Sequence, residues 1–97
     1  MESTKSETNL YFVFMNYDPQ YEHLRADRTK RGVHVLDLYL SRKHDELLAT
    51  NLDPGSYKKT SSLVIVDGFA VEITEDQATV LRSAKGVRVV EKNEEVA

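Results

Sequence analysis

The pattern of hydrophobic and polar positions begins with an apolar stretch, residues 9–15 (NLYFVFM). Its aromatic and β-branched residues predict a strand. Alternate residues of a strand point to opposite faces of a sheet, and both faces are apolar here. One face carries Leu10, Phe12 and Phe14, and the other carries Tyr11, Val13 and Met15. We therefore expect this strand in the middle of a sheet, covered on both sides.

Residues 16–32 show no clear period and are interpreted as a long loop with at most a helical turn. The next segment, residues 33–51, is predicted to be a helix. An apolar stripe runs along one of its faces and consists of Leu36, Leu40, His44 and Leu47. Pro54-Gly55 then indicates a turn that ends the helix.

The second half of the chain predicts two strands, a helix and a further strand. The strands are residues 57–66 and 69–73, joined at Asp67-Gly68, which is typical of a two-residue type I′ hairpin turn. Thr74 and Gln77 form a capping box, so the helix begins there and runs to about Lys85. Gly86 is the expected stop, and residues 87–91 form the last strand.

The order strand, helix, strand, strand, helix, strand predicts an α+β fold, the ferredoxin-like plait (β-α-β-β-α-β). Its four-stranded, mainly antiparallel sheet carries both helices on one face. We expect a flexible tail at residues 1–8, one domain at 9–93 and a C-terminal tail at 94–97. Because the helices cover one face only, the other face of strand 9–15 should stay exposed and bind a partner. We assign Tyr11, Val13 and Met15 to that face.

Composition and charge limit the classes of function that this chain can have. The 97 residues are 40% hydrophobic and 30% charged, which indicates a globular domain. The net charge of −3 disfavours nucleic acid as a partner. The longest apolar run is too short to span a membrane. The first residues lack the apolar core of an export signal, so a complete chain would be cytoplasmic, whereas a fragment of a longer secreted precursor would be extracellular or in the secretory pathway.

The residue types that carry chemistry are not arranged for catalysis. Cysteine is absent, and His23, His34 and His44 have no histidine partner at helical spacing, so we expect no metal site and no cofactor. His44 is interpreted as a structural histidine within the helix. Neither a nucleophile motif around a serine nor converging carboxylates occur, so we expect no enzyme activity. The cluster Arg28–Arg31 (RTKR) is either a solvated loop or a processing site for a basic-specific protease.

The segment from residue 67 to residue 93, DGFAVEITEDQATVLRSAKGVRVVEKN, resembles the propeptide domain of subtilisin-like serine proteases. The residues that carry the resemblance are Gly68-Phe69, Thr74, Gln77, Leu81 and Gly86-Val87. Residues 42–59 are similar to the helix and turn of plant subtilase propeptides, and residues 11–15 match the first strand. In place of the family's Tyr-Ser-Tyr strand, this chain has TSSLVIV at residues 60–66. The resemblance covers about residues 10–93.

The resemblance implies a non-enzymatic inhibitor and folding assistant whose partner is a subtilisin-like serine protease. In that family the open sheet face docks on two surface helices of the protease, and the C-terminal tail enters the substrate cleft. By position, Glu91 and Asn93 would cap those two helices, with Asn93 replacing the usual aspartate. The tail residues implied to contact the protease are Glu95, Val96 and Ala97, with Val96 near an outer apolar pocket. We expect a monomer when free.

A different class of function is also compatible with the sequence. The plait is used as an interaction or regulatory module with no protease partner, and it also serves as an RNA-recognition module. The basic, glycine-rich strand that RNA recognition requires is missing here. Inhibition of a subtilase that depends on the tail would favour the propeptide hypothesis over the general interaction module.

Overall fold

A four-stranded antiparallel sheet forms the centre of the structure, a computed structural model that describes residues 7–63 and 65–94. The elements are β1 (Thr8–Met15), α1 (Pro19–Arg25), α2 (Lys30–Asn51), β2 (Lys58–Leu63), β3 (Gly68–Thr74), α3 (Glu75–Arg82) and β4 (Val87–Lys92). The strand order is β2-β3-β1-β4, and every neighbouring pair is antiparallel. The predicted α+β fold is confirmed, and the sheet is compatible with the ferredoxin-like plait.

The core lies between the sheet and the helices. β1 is a central strand, as predicted, and contributes Tyr11 and Val13, both completely buried. From the helices come Leu48 of α2 and Leu81 of α3, which are also completely buried in the same cluster. Among the described residues, no helix is both long and apolar enough to cross a membrane.

The prediction that Tyr11, Val13 and Met15 form an exposed contact surface is wrong. These side chains are 0%, 0% and 8% exposed and face the helices. Alternation assigns residues to two faces but does not say which face the helices cover, and both faces of β1 are apolar. The opposite face carries the half-buried side chains of Leu10, Phe12 and Phe14.

The described residues form three helices rather than the predicted two, because α1 lies in the predicted loop. The first turn of α2 lies in that loop as well. The Asp18 side chain caps α1 by accepting a hydrogen bond from the Gln20 N–H at 3.0 Å, and Pro19 follows at a position that tolerates proline. Tyr21 packs against Leu36 and Leu40 of α2. A helix of seven residues is too short to show a clear hydrophobic period, so the pattern of residues 16–32 did not predict it.

The connection before β3 is not the predicted type I′ turn. Within the described residues, positive φ occurs only at Gly55 (78°) and Gly86 (91°). β2 ends at Leu63, three residues before the predicted end, and a turn at residues 65–67 leads into β3. Gly68 is needed for close packing, since an added Cβ would lie 2.7 Å from the Val13 carbonyl oxygen.

The predicted capping box of α3 is confirmed. The Gln77 N–H donates to Thr74 Oγ1 at 3.1 Å, and the Thr74 N–H donates to Gln77 Oε1 at 2.9 Å. The helix ends at Arg82, before the predicted Lys85, and Gly86 follows with the positive φ expected of a glycine stop.

Candidate interaction surface

The face of the sheet opposite the helices is apolar along β1. We call it the outer face and define it by Leu10, Phe12, Phe14, Ala70 and Val89. The strand register places Phe12 between Ala70 of β3 and Glu91 of β4, and Phe14 is paired with Val89 of β4. Since residues paired directly across an antiparallel sheet share a face, these side chains form one continuous surface.

The neighbours of the two phenylalanines on β3 are small. Phe12 is paired with Ala70 and Phe14 with Gly68, so the aromatic rings have little side chain beside them on that strand. Both rings are half-buried rather than buried. An apolar surface of this kind on an otherwise charged domain is typical of a protein-binding site.

Acidic and polar residues lie at the edge of the outer face. Glu91 is exposed on β4 directly across from Phe12. Beyond the strand, the Asn93 N–H donates to the Leu10 carbonyl at 2.8 Å, so the chain still follows β1 at that point. The structure therefore brings Glu91, and the backbone of Asn93, next to the apolar surface. The other predicted tail contacts, Glu95, Val96 and Ala97, lie outside the described residues.

Sequence reasoning missed Phe12, Phe14 and Val89 as surface residues. A signal for the correct face was present in β3, where Phe69, Val71 and Ile73 alternate with Ala70 and Glu72. The charged residue marks the outer face of β3, and antiparallel pairing of Glu72 with Leu10 extends that face to β1. Assigning the face required the strand register as well as the alternation.

A polar cluster lies inside the molecule, between α2 and the ends of three other segments. His44 is completely buried, as expected of a structural histidine. Its Nε2 lies 2.8 Å from Oδ1 of Asp67, and its Nδ1 lies 3.3 Å from the Ser62 hydroxyl oxygen. Lys43 donates to Asp67 and, at 2.8 Å, to Oδ2 of Asp18. The cluster thus connects α2 to the cap of α1, to β2 and to the segment that enters β3.

The charged side chains of this cluster stabilise one another's ionised forms, as the directions of their pKa shifts indicate. Burial would raise the pKa of Asp18, but hydrogen bonds from Lys43 and Tyr39 outweigh burial and lower the pKa to about 2. Burial would also raise the pKa of Asp67, but hydrogen bonds from His44 and Lys43 lower it. Burial, followed by the hydrogen bond to Asp18 at 2.5 Å, raises the pKa of Tyr39 to about 12. Burial disfavours the charged form of Lys43, yet its two carboxylate partners raise its pKa.

Ser62, His44 and Asp67 include the residue types of a catalytic triad, but their environment is that of a core. The imidazole has no exposed surface, so a substrate cannot reach the ring from solvent. Each contact joins a different element to α2, which is a structural role. In the described part of the chain, no three histidine, cysteine or acidic side chains come together to hold a metal ion.

The basic cluster Arg28–Arg31 spans the junction between α1 and α2. All four residues are exposed, and Thr29 is the N-cap of α2, accepting a hydrogen bond from the Gly32 N–H at 3.0 Å. Lys30 and Arg31 are already helical. Processing at this cluster stays a prediction, and cleavage within it would require the first turn of α2 to open.

Comparison with known proteins relates the chain to plant proteases. It is 40% identical over 70 residues, 71% of its length, to the subtilisin-like proteases SBT2.5 and SBT2.6 of Arabidopsis thaliana. It is 41% identical over 88 residues, 90% of its length, to subtilisin-like protease SBT2.4 of the same plant. The matches span 9% of the first two relatives and 11% of the third. No family model and no solved structure matches the chain.

The similarity is confined to a small segment of each relative, so most of each protease lies outside the match. It agrees with the resemblance that residues 42–59 and 67–93 indicated, and it is consistent with a propeptide-type region. The match supports a relationship to subtilisin-like proteases for most of this chain.

Proposed function

We propose that this protein is a propeptide-like, non-enzymatic inhibitor and folding assistant of a subtilisin-like serine protease. The observation that carries the proposal is the apolar outer face, on a domain similar to a short segment of plant subtilisin-like proteases. Docking of that face would hold the domain on the surface of the enzyme, and the C-terminal tail would enter the substrate cleft.

The outer face supplies the apolar part of the contact. Phe12 and Phe14 are aromatic, half-buried and central in the sheet, which are features of residues that dominate binding energy. Burying the exposed remainder of such side chains contributes about 25 cal/mol per Å². No rearrangement of the core is needed, because the core residues of β1 point the other way.

Glu91 supplies the charged part of the contact. Its carboxylate is exposed at the edge of the outer face, where it can reach a partner helix. The N-terminus of a helix presents unpaired N–H groups and partial positive charge, and a carboxylate there gains charge-assisted hydrogen bonds. Asn93 can accept hydrogen bonds but carries no charge, so its contribution should be smaller. In this proposal the tail after Asn93 occupies only part of the substrate cleft.

A titration into a panel of proteases tests the function. The protein is added to plant subtilisin-like proteases and, as a matched control class, to trypsin-like serine proteases, and residual activity on a peptide substrate is measured. We expect nanomolar inhibition confined to the subtilisin-like group. Inhibition of neither group, or equal inhibition of both, would contradict the proposal and favour an interaction module with no protease partner.

The folding role has a separate test. A subtilisin-like protease denatured without its propeptide is diluted to refold with and without this protein present. We expect a higher yield of active enzyme in its presence, after the inhibitor has been removed. An unchanged yield, together with nanomolar inhibition, would restrict the function to inhibition.

A further inference from the structure

A second surface lies at the end of the sheet where β1 finishes, next to α1 and the turn at residues 65–67. It carries exposed large apolar side chains that the core does not use. Tyr17 is 78% exposed, Ile65 82%, Val33 52% and Val66 43%. We call this surface the Ile65 end. It lies at the end of the strands and adjoins the outer face at Arg88, whose guanidinium lies over the Phe14 ring.

Two clefts flank Ile65. One has a volume of about 350 Å³, and its apolar and aromatic lining consists of Met15, Tyr17, Tyr21, Ile65 and Val66. The other has a volume of about 480 Å³, and its apolar lining consists of Val33, Leu36 and Ile65. Each cleft is large enough to take an aliphatic or aromatic side chain from a partner.

Arginines surround these clefts. Arg25 lines both of them, Arg28 lines the second and Arg88 lines the first. Within the described residues, neither Arg28 nor Arg88 forms an ion pair, and Arg25 has only an exposed pair with Glu22 at 3.4 Å. The Arg88 guanidinium lies 5.9 Å from the centre of the Phe14 ring, which leaves its donors available. Although the chain has a net charge of −3, two arginines without an ion pair to any described residue, Arg28 and Arg88, therefore lie beside this apolar surface, among acidic side chains that also line the clefts.

We propose that the Ile65 end binds an acidic peptide segment of a partner protein, one that carries an apolar side chain between its carboxylates. The apolar side chain fills a cleft beside Ile65. The carboxylates pair with Arg25, Arg28 or Arg88, whose planar guanidinium groups bind carboxylates in a two-point geometry. This inference does not rest on the proposed protease partner, and the two can fail separately.

A peptide fits this surface better than an anionic membrane does. The apolar side chains line two separate clefts on either side of the exposed Ile65, whereas a membrane-binding surface presents one continuous apolar face. Acidic side chains also line the clefts: Asp18, Glu22 and Asp67 line the first and Asp27 the second. Asp18 and Asp67 are already paired inside the molecule, both with Lys43 and Asp67 also with His44. The acidic side chains of the clefts would repel a continuous layer of anionic headgroups but leave room for single carboxylates at the arginines.

Fluorescence anisotropy tests the inference with a labelled synthetic peptide of alternating glutamate and leucine. Two control peptides replace every glutamate by lysine or every leucine by serine. We expect micromolar binding of the first peptide only, weakened by salt. Vesicles of phosphatidylcholine with phosphatidylserine are tested in parallel. Binding to vesicles without binding to the peptide, or binding of the lysine peptide with equal affinity, would overturn the proposal.

Variants locate the site. Arg88→Glu and Ile65→Ser should each weaken peptide binding at least about tenfold. Val80→Ser is the matched control, because Val80 is 45% exposed on α3, and Phe12→Glu changes the outer face at a residue that lines neither cleft. Both controls should bind as the wild type does. Equal loss in Phe12→Glu, or no loss in Arg88→Glu, would place the peptide elsewhere and overturn the inference.

Discussion

The imidazole Nε2 of His44 lies 2.8 Å from Oδ1 of Asp67, inside a core where the ring has no exposed surface. The ring also packs on Phe69, with ring centroids 4.7 Å apart. The Asp67 side chain is only 7% exposed, so it depends on protein partners for its hydrogen bonds. This contact fixes the segment that enters β3 against the middle of α2.

Replacing this histidine should therefore destabilise the fold. We expect His44→Leu to lower the free energy of unfolding by about 2 kcal/mol or more, because Asp67 loses a buried partner while the volume is roughly kept. Urea unfolding followed by circular dichroism measures the change. His34→Leu, at an exposed position of the same helix, is the control and should change stability by less than about 0.5 kcal/mol. Equal effects of the two changes would contradict the structural role of His44.

Asp18 should make the fold sensitive to acid. Its pKa is lowered from 3.8 to about 2, so its contacts stabilise the folded state above pH 4, and this contribution is lost as the pH falls through about 2. Asp18→Asn keeps a side chain that can cap α1 but removes the charge. We expect the wild type to be more stable by up to about 2 kcal/mol near pH 6 and the difference to vanish near pH 2. Urea unfolding near pH 6 and near pH 2 measures the difference in stability between the two proteins. The same difference at both pH values would contradict this role of Asp18.

Substitutions of Gly68 distinguish two reasons for a glycine at this position, a tight turn and close packing against β1. An added Cβ would meet the Val13 carbonyl oxygen at 2.7 Å and the Phe14 ring at 3.0 Å. We expect Gly68→Ala to destabilise by more than about 1 kcal/mol, and Gly68→Asn to destabilise at least as much. A left-handed turn would instead tolerate asparagine better than alanine. Thermal melts of the two variants decide between these explanations.

A glutamate should affect the stability of the fold very differently on the two faces of β1. Val13→Glu puts a carboxylate into a completely buried site, and we expect it to abolish folding or to cost more than about 3 kcal/mol. Phe12→Glu puts the same group on the outer face, next to solvent, and the fold should survive. Circular dichroism and thermal melts of the matched pair measure this difference. A stable Val13→Glu protein would mean that the helices cover the other face.

Much of the fold could be predicted from local signals. β1 is recognisable as a central strand because both its faces are apolar, and α3 is recognisable because Thr74 and Gln77 form a capping box. These signals depend on residues close in sequence. The predicted helix over residues 33–51 gave most of α2 for the same reason.

The remaining features depend on contacts that are distant in sequence. α1 is stabilised by the packing of Tyr21 on α2 and by the link from Asp18 to Lys43, so its own residues show little period. The covered face of β1 is decided by the helices, which no pattern within β1 reveals. The Ile65 end brings Arg25, Arg88 and Ile65 together from three separate segments, so it could not be found in the sequence.

The central claim is that the outer face docks onto a subtilisin-like protease, and inhibition by outer-face variants tests it most directly. The inhibition constant is measured for the wild type, Phe12→Glu and Glu91→Ala, with Glu46→Ala on the exposed side of α2 as the control. We expect losses of about a hundredfold for Phe12→Glu, equivalent to 2.7 kcal/mol, and about tenfold for Glu91→Ala, with no change in the control. A folded Phe12→Glu protein that inhibits as strongly as the wild type would contradict the account.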